Sequence, residues 1–240
     1  SKDRIYNSLE DLLKAECRRN LEDRVAIIAI TTPNHLHVPA ALKCIEAGFH
    51  VMCDKPLGIS LDEALKLREV LSRKKVKFGM SYTYRGYAAV QTIARMVQNS
   101  DLGQVRKVMV DYSQGWLSEL VESGDNKQAA WRTDPQFSGA GGTIADIGTH
   151  AFNLAEYVSN LKIKQLTAQV STLVDKRVID DDANILTKYE NGATGTISVG
   201  QALTGEDNAL RIQVYGDKGG IIWDHHTPNE IVFKADHSVR

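Results

Sequence analysis

The sequence predicts an α/β chain with a parallel sheet in its first third and an antiparallel sheet in its second half. Two observations support this prediction. Up to residue 81, helical patterns alternate with apolar runs of strand length, an order that builds a parallel sheet. After residue 160, strands that alternate apolar with polar residues follow one another with turn signals between them. We therefore divide the chain into two predicted domains, residues 1–83 and 84–240.

Three helices and three strands alternate in the first predicted domain. The capping pattern at Ser8 predicts a helix over residues 9–15, and the apolar run 25–30 is typical of a strand covered by helices on both faces. Pro39 fits the first turn of the next helix, and Gly48 fits its end. A strand at 50–53, a helix that begins after Ser60 and a strand at 76–81 complete the alternation.

Polar residues follow the first two of these strands. They occupy positions 31–37 after the first strand and 54–56 after the second. Ligands of open α/β sheets bind outside the carboxyl ends of the strands. Both clusters are therefore predicted to lie at one ligand-binding edge.

The second predicted domain begins with a helix at 88–98 and a strand at 105–112. A polar, glycine-containing passage up to Gly142 is predicted to be a long loop, and a helix at 144–158 follows it. Most of the remaining chain carries strand patterns. Asn191-Gly192 predicts a hairpin, and the turn residues 216–219 connect the next two strands.

The helix at 144–158 carries the residues best suited to chemistry. At α-helical spacing, Asp146, His150, Asn153 and Tyr157 share one face. Gly148 lies between the first two, and a glycine inside a helix costs about 1 kcal/mol relative to alanine. That cost is tolerated where another group must approach the backbone closely. Spacing alone leaves open whether the carboxylate and the imidazole form a functional pair or a structural hydrogen-bonded pair.

Composition excludes some classes of partner. The net charge is −1 with acidic and basic residues interspersed, so neither a nucleic acid nor a membrane surface is expected as a partner. No apolar run reaches the length of a membrane span. The three cysteines, Cys17, Cys44 and Cys53, form no C-x-x-C pair and are expected to be reduced and to fill the core. Reduced thiols favour a cytoplasmic location.

No metal site is expected. His35 with His37, and His225 with His226, have no further ligands at suitable spacing. The acidic run 180–182 is interpreted as a turn that enters a strand.

Five motifs, in this order and spacing, resemble those of the Gfo/Idh/MocA family, the relatives of glucose-fructose oxidoreductase and inositol dehydrogenase. These motifs are Thr32-Pro33-Asn34-x-x-His37, Asp54-Lys55-Pro56, Trp131-Arg132, Gly141-Gly142 and Asp146-x-Gly148-x-His150. The resemblance spans nearly the whole chain. It implies a partial Rossmann-type parallel sheet followed by an α+β domain with an open antiparallel sheet. It also implies that the glycine-rich phosphate turn lies upstream of Ser1 and that the family's C-terminal end lies beyond Arg240.

The resemblance further implies NAD or NADP as the cofactor. Asp54 stands where the family usually has glutamate, so the same charge is carried on a shorter side chain. The predicted cofactor-binding residues are Thr31, Thr32, Pro33, Asn34, His37, Asp54, Lys55, Pro56 and Arg132.

By the same resemblance, Lys55, Asp146 and His150 are the predicted catalytic residues. The lysine would hydrogen-bond the reacting oxygen, and the histidine, which titrates near neutrality, would exchange the proton of the substrate hydroxyl. Asp146 would hydrogen-bond a sugar hydroxyl or Lys55. Tyr84, Arg85 and Asn153 are predicted substrate contacts.

The expected activity is hydride transfer between nicotinamide and a secondary hydroxyl of a sugar, a polyol or a related cyclic substrate. Two alternatives stay open: a dinucleotide-sensing regulator on the same fold, and an enzyme whose redox step is transient and recycles the cofactor. We also expect a homo-oligomer.

Overall fold

The structure is a computed structural model that describes residues 4–235. The chain divides into two compact units. The first contains the described residues up to Ser81 together with residues 136–140, and the second contains residues 82–135 and the described residues from Gly141 onward. The functional boundary between residues 83 and 84 stays a prediction.

A three-stranded parallel sheet forms the centre of the first unit. Its order is β1-β2-β3, with β1 at Ile27–Ile30, β2 at His50–Cys53 and β3 at Phe78–Met80. The helices are α1 (Leu9–Glu16), α2 (His37–Glu46) and α3 (Leu61–Ser72). Ser8 and Ser60 cap α1 and α3 with their side chains, as their sequence patterns predict. Pro39 lies in the first turn of α2, and Gly48, with φ +83°, follows its end.

The expectation that helices cover both faces of β1 is wrong for the described chain. Burial alternates along the strand: Ile28 and Ile30 are buried, whereas Ile27 and Ala29 are exposed. Apolar residues of α1, α2 and α3 all pack in the cluster that contains Ile28 and Ile30. A continuous apolar run shows that a strand can be covered on both faces, but it does not show which face a helix covers.

The expectation that all three cysteines fill the core is wrong for one of them. Cys44 and Cys53 are buried, and burial raises the pKa of Cys44 to about 11 and that of Cys53 to about 12. Both therefore stay protonated at neutral pH. Cys17 is exposed, because it follows the last residue of α1 on the solvent side.

The second unit contains a seven-stranded sheet of order β10-β9-β8-β4-β7-β6-β5. The strands are β4 (Val105–Ser113), β5 (Ile163–Ser171), β6 (Asp182–Tyr189), β7 (Thr194–Gly200), β8 (Ala209–Gly216), β9 (Gly219–Asp224) and β10 (Val232–Ala235). All neighbouring pairs are antiparallel except β4 with β7, which is parallel. The predicted fold class is confirmed, with this one parallel pair added. The pair matters because it places the carboxyl ends of β4 and β7 at the same edge.

Two helices cover one face of this sheet. Their bounds are α4 at Ala88–Gln98 and, later in the chain, Thr149–Ser159. A buried row runs across five strands on that face: Ile185, Ile197, Val110, Ile212 and Trp223. The next row lies on the opposite face and consists of Leu186, Thr196, Met109, Gln213 and Ile222. Among residues 4–235, no helix packs on that face.

The predicted long loop before Gly142 contains two short helices, α5 (Lys127–Arg132) and α6 (Pro135–Ser138). The side chain of Asn126 caps α5 by accepting hydrogen bonds from the backbone N–H groups of Gln128 and Ala129. A six-residue helix held by its cap is too short to produce a periodic apolar pattern. The prediction of an unstructured loop was therefore wrong over these residues.

The predicted single helix over 144–158 is two segments. Ile144–Gly148 forms a π-helical turn, and α7 (Thr149–Ser159) continues it as an α-helix. A Cβ atom on Gly148 would meet only ordinary contacts with the described residues, the nearest at 3.6 Å, so the reason for a glycine at this position stays a prediction.

No helix within the described range is both long enough and apolar enough to cross a membrane.

Candidate functional site

The polar residues after β1 and β2 lie at the carboxyl edge of the parallel sheet, as predicted. Thr31 and Thr32 follow β1 and are exposed. Pro33 precedes a 3₁₀ turn, Asn34–Leu36, that leads into α2. The Asn34 side chain is buried and donates from Nδ2 to the Ser138 carbonyl at 3.4 Å.

His37 connects the two halves of this edge. Its ring is 1% exposed, with Nε2 at 2.7 Å from the Thr32 carbonyl oxygen and Nδ1 at 2.7 Å from the Pro56 carbonyl oxygen. The predicted cofactor-binding segments 31–34 and 54–56 are thus held together by one side chain at the start of α2.

The Asp54 carboxylate is held by local hydrogen bonds. Its Oδ1 atom accepts from the Lys55 backbone N–H at 2.9 Å and from the Ser81 hydroxyl at 2.6 Å. The Asp54 N–H donates to the Ile30 carbonyl at 2.9 Å, which extends the pairing of β2 with β1 by one residue. The peptide bond between Lys55 and Pro56 is cis. The shorter acidic side chain therefore supports the backbone that carries Lys55, whose own side chain is half-buried.

In the second unit, Asp146 lies in the π-helical turn and its carboxylate is held from two sides. The Gln201 Nε2 atom donates to its Oδ2 atom at 2.9 Å, and the Arg132 Nε atom lies 3.6 Å from the same oxygen. The Arg132 guanidinium also stacks 4.2 Å above the centroid of the Trp131 ring. Arg132, a predicted cofactor contact, is thus a neighbour of Asp146.

His150 lies in the first turn of α7, and it is buried among aromatic rings. Its ring centroid is 5.0 Å from Tyr84, 5.7 Å from Tyr82 and 6.4 Å from Tyr112. Burial raises the pKa of Tyr112, and it raises the pKa of Tyr82 against a smaller opposing hydrogen bond with Thr149. The phenols of Tyr82 and Tyr112 therefore stay protonated and uncharged at neutral pH.

Asp180 fixes the start of the helical segment that carries Asp146 and His150. Its carboxylate accepts from Gly142 N at 2.6 Å and from Ile144 N at 2.9 Å, and its carbonyl accepts from Thr143 N at 3.0 Å. This carboxylate satisfies N–H groups at the positive end of the helix. Gly142 is required there, because a Cβ atom on it would lie 2.2 Å from the Asp180 carbonyl oxygen.

Asp146 and Asn153, two of the residues predicted to share one helical face with His150, have different neighbours. Asn153 lines a groove of about 400 Å³ together with Tyr82, Thr149, Phe152, Glu156, Ile163 and Leu166. Asp146 instead packs beside Gln201 and Arg132. A π turn holds one more residue than an α turn, so α-helical spacing does not extend across it.

Tyr84 is buried against His150, whereas Arg85 is exposed and lies with its guanidinium 4.1 Å from the centroid of the Tyr157 ring. Of the three predicted substrate contacts, Tyr84 packs directly on the predicted catalytic residue His150. The roles of all three stay predictions.

Sequence reasoning missed Gln201, Gln114, Tyr112, Asn208 and Asp180. The first two follow the carboxyl ends of the parallel strands β7 and β4. Recognising that pair as parallel was the one signal that could have found them, since it brings both strand ends to one edge.

Among the described residues, no group of three or more histidines, cysteines or carboxylates is placed to hold a metal ion. His225 instead donates from Nδ1 to the Asn208 carbonyl at 3.1 Å, and its Nε2 atom lies 3.1 Å from the Tyr87 hydroxyl. Asp181 bonds the backbone N–H groups of Leu173 and Val174 just before β6, as a turn residue does.

The class indicated by a parallel sheet with a polar carboxyl edge, and by a half-buried Asp146 and a buried His150 on one helical segment of the second unit, is that of an NAD-binding oxidoreductase. Residues 3–82 match the family model described as "Oxidoreductase family, NAD-binding Rossmann fold". Residues 90–222, more than half of the chain, match the model described as "GFO/IDH/MocA C-terminal domain". The chain belongs to the Gfo/Idh/MocA family. The predicted family and the predicted class of cofactor are confirmed.

Solved structures of the family resemble the whole chain. An inositol dehydrogenase homologue from Azotobacter vinelandii, solved with NAD⁺, is 30% identical with a TM-score of 0.93 over 99% of this chain and 61% of its own. A structure described as the same kind of homologue from that organism, with NADH and myo-inositol, is 28% identical with a TM-score of 0.88, covering 99% of this chain and 60% of its own.

A curated relative is the levoglucosan dehydrogenase of Pseudarthrobacter phenanthrenivorans. It is 23% identical over 241 residues, which cover 90% of this chain and 60% of that protein. The chain thus spans about three-fifths of the length of the relatives that it matches.

Proposed function

We propose that the protein containing this chain is an NAD-dependent dehydrogenase that oxidises a secondary hydroxyl of a sugar, a polyol or a related cyclic alcohol. The observation that carries the proposal is the capped helical segment that presents Asp146 and His150 within two turns of each other. The named relatives support the substrate class, since one structure holds myo-inositol and one curated relative is a levoglucosan dehydrogenase.

The residues at the carboxyl edge of the first unit fit a dinucleotide. Thr31 and Thr32 present exposed hydroxyl and backbone groups there, and His37 fixes the spacing between their segment and Lys55-Pro56. Such groups suit the ribose hydroxyls and the phosphates of NAD. When bound, the nicotinamide supplies the hydride acceptor.

The proposed chemistry of this chain's own residues is proton handling and charge stabilisation. The Lys55 ammonium donates a hydrogen bond to the reacting oxygen and favours the negative charge that develops as the hydroxyl loses its proton. His150 accepts that proton during oxidation and returns it during reduction. Asp146 accepts a hydrogen bond from a substrate hydroxyl and orients the ring.

The test is turnover by the purified protein that contains this chain, followed as NADH absorbance over a panel of polyols and sugars. We expect His150→Ala to lower kcat by about 10²–10⁴-fold, the usual contribution of a general acid–base. His226→Ala is the matched control, because this histidine is exposed and its ring bonds Asp224, outside the proposed site.

Three outcomes would contradict the proposal. Unchanged kcat in His150→Ala would remove the proposed acid–base. NADH binding without turnover of any panel member would favour the regulator, and a changed product without net NADH would favour transient redox.

We also propose that the protein associates with copies of itself through the uncovered face of the seven-stranded sheet. The row Leu186, Thr196, Met109, Gln213 and Ile222 crosses that face, and Leu186 is 63% exposed. A broad sheet face with exposed apolar residues is typical of surfaces that bind another protein.

A further inference from the structure

Gln201 occupies a buried position from which it bonds Asp146. It follows β7 and is 1% exposed. Its Nε2 atom donates to Asp146 Oδ2 at 2.9 Å and to Gln114 Oε1 at 3.0 Å, and its Oε1 atom accepts from the Thr143 hydroxyl at 2.9 Å. The two acceptors fix which end of the amide faces the carboxylate.

This amide continues into a network that reaches the rings around His150. Gln114 donates from Nε2 to Asn208 Oδ1 at 2.7 Å, and the Tyr112 hydroxyl donates to the same oxygen at 2.7 Å. Asn208 donates to the Tyr84 hydroxyl at 3.2 Å, and the two phenols lie 2.5 Å apart. Tyr84 and Tyr112 both pack against His150.

The Gln201 backbone is held independently of its side chain. Its N–H donates to the Asp181 carbonyl at 2.9 Å, and its carbonyl accepts from Leu117 N at 3.0 Å. These backbone bonds hold the turn after β7 independently of the side chain. The side-chain hydrogen bonds of Gln201 are therefore not needed to form the turn.

We propose that Gln201 is a positioning residue that fixes the orientation of the Asp146 carboxylate for the reaction, an inference that rests on the proposed function. A hydrogen bond from the Gln201 amide to this charged acceptor restricts the carboxylate to one orientation. The amide network carries no formal charge, so it orients Asp146 without neutralising it. Arg132 reaches the same oxygen at 3.6 Å, which is a longer and less directional contact.

The experiment is a double-mutant cycle in the protein that contains this chain. Gln201→Met keeps the length of the side chain and removes its three hydrogen bonds. We expect it to lower kcat about ten-fold or more with the KM for NAD unchanged, since the bond that it removes has a charged acceptor. In the Asp146→Asn background we expect less than about a two-fold further loss, because the group that Gln201 orients is already altered.

Thr143→Val is the second variant, in case Gln201→Met folds poorly. It removes the donor to Gln201 Oε1 while Gln201 and Asp146 stay in place. We expect a smaller loss of kcat, about three-fold, that also disappears in the Asp146→Asn background. Gln104→Met is the matched control, because Gln104 is an exposed glutamine just before β4 that takes no part in the Gln201 network. It leaves kcat unchanged.

A second measurement separates this inference from the proposed function. In urea unfolding, Gln201→Met should raise the unfolding equilibrium constant both in the wild-type background and in the Asp146→Asn background. We expect the increase in the wild-type background to be at least about five-fold larger. Equal losses of kcat in both backgrounds would show that Gln201 has only a structural role. An unfolding cycle without coupling would show that Gln201 and Asp146 do not interact. If the unfolding cycle shows the coupling but the wild-type protein oxidises no alcohol, the contact between Gln201 and Asp146 is established and its catalytic role is overturned.

Discussion

His37 holds two backbone carbonyl oxygens, one on each of its ring nitrogens. Carbonyl oxygens only accept hydrogen bonds, so the ring donates to both only when both nitrogens carry hydrogen. The neutral ring donates to one of the two at a time. Either way, the side chain ties the segment after β1 to the segment after β2, where Lys55 lies.

We predict that His37→Phe destabilises the protein by about 2 kcal/mol, because the ring volume is kept while buried carbonyls lose their donor. The midpoint of urea unfolding measures this change. His226→Phe is the control, and we expect it to stay within about 0.5 kcal/mol of the wild type because that histidine is exposed. Equal stability of wild type and His37→Phe would show that neither hydrogen bond contributes.

At the scale of single residues, local motifs predict which residues carry the candidate site but not which residues they contact. The sequence identified Lys55, Asp146 and His150 from motifs that span a few residues each. It did not identify Gln201, which lies 55 residues from Asp146 along the chain and bonds it directly. A lone glutamine after a strand has no pattern that distinguishes it from an exposed one.

At the scale of elements, the buried side chain of Arg177 joins two loops of the second unit. Arg177 donates to Glu122 from Nε at 2.8 Å and to Asp181 from Nη1 at 3.0 Å. It also bonds the carbonyls of Leu117 and Glu119, both at 2.8 Å. Its side chain is fully buried, so these groups replace its hydration. The network fixes the segment after β4 against the segment that enters β6, next to the Asp180 cap.

We predict that the ion pair of Arg177 with Glu122 contributes a pH-dependent part of the free energy of unfolding. Burial raises the pKa of Glu122, but hydrogen bonds from Arg177 outweigh it and hold that pKa below the ordinary value of 4.5. A lowered folded-state pKa stabilises the protein fully above the unfolded-state value and loses that effect as pH falls through the folded-state value. Glu122→Gln should therefore cost about 1–2 kcal/mol at neutral pH.

That cost should shrink as the pH falls below 4.5, where the wild-type carboxylate also becomes protonated. Urea unfolding of both proteins at neutral pH and in this acidic range measures the difference. Glu190→Gln, an exposed change, is the control. A difference that stays constant with pH would rule out the ionised pair as its source.

The start of α7 shows why element type is easier to predict than element geometry. The prediction that residues 144–158 are helical was correct, but the sequence did not predict the wide π-helical turn at Ile144–Gly148. That turn coincides with the cap from Asp180, which lies 36 residues beyond Ile144. Local periodicity carries no information about such a distant carboxylate.

At the scale of the whole molecule, the seven-stranded sheet has one face packed against helices and one face without them among residues 4–235. We predict that Leu186→Lys shifts the protein toward a smaller assembly, because it places a charge on the proposed contact surface of each copy. Sedimentation velocity measures the assembly state.

Leu173→Lys is the matched control for this change, since Leu173 is a loop leucine that is 57% exposed. It should leave the assembly state unchanged. A wild-type protein that sediments as a monomer at every concentration would contradict the proposed association.

The sequence by itself determined the class of fold, the family and the residue types of the candidate site, because each follows from spacing over a few neighbouring residues. Alternation gave the strands, helical spacing gave the helices, and short motifs gave Thr32 to His37, Asp54 to Pro56 and Asp146 to His150. Only the tertiary structure decided the parallel pairing of β4 with β7, the uncovered face of β1 and the amide that holds Asp146. These features depend on which distant segments pair and in what register, and no local period in a single sequence specifies that.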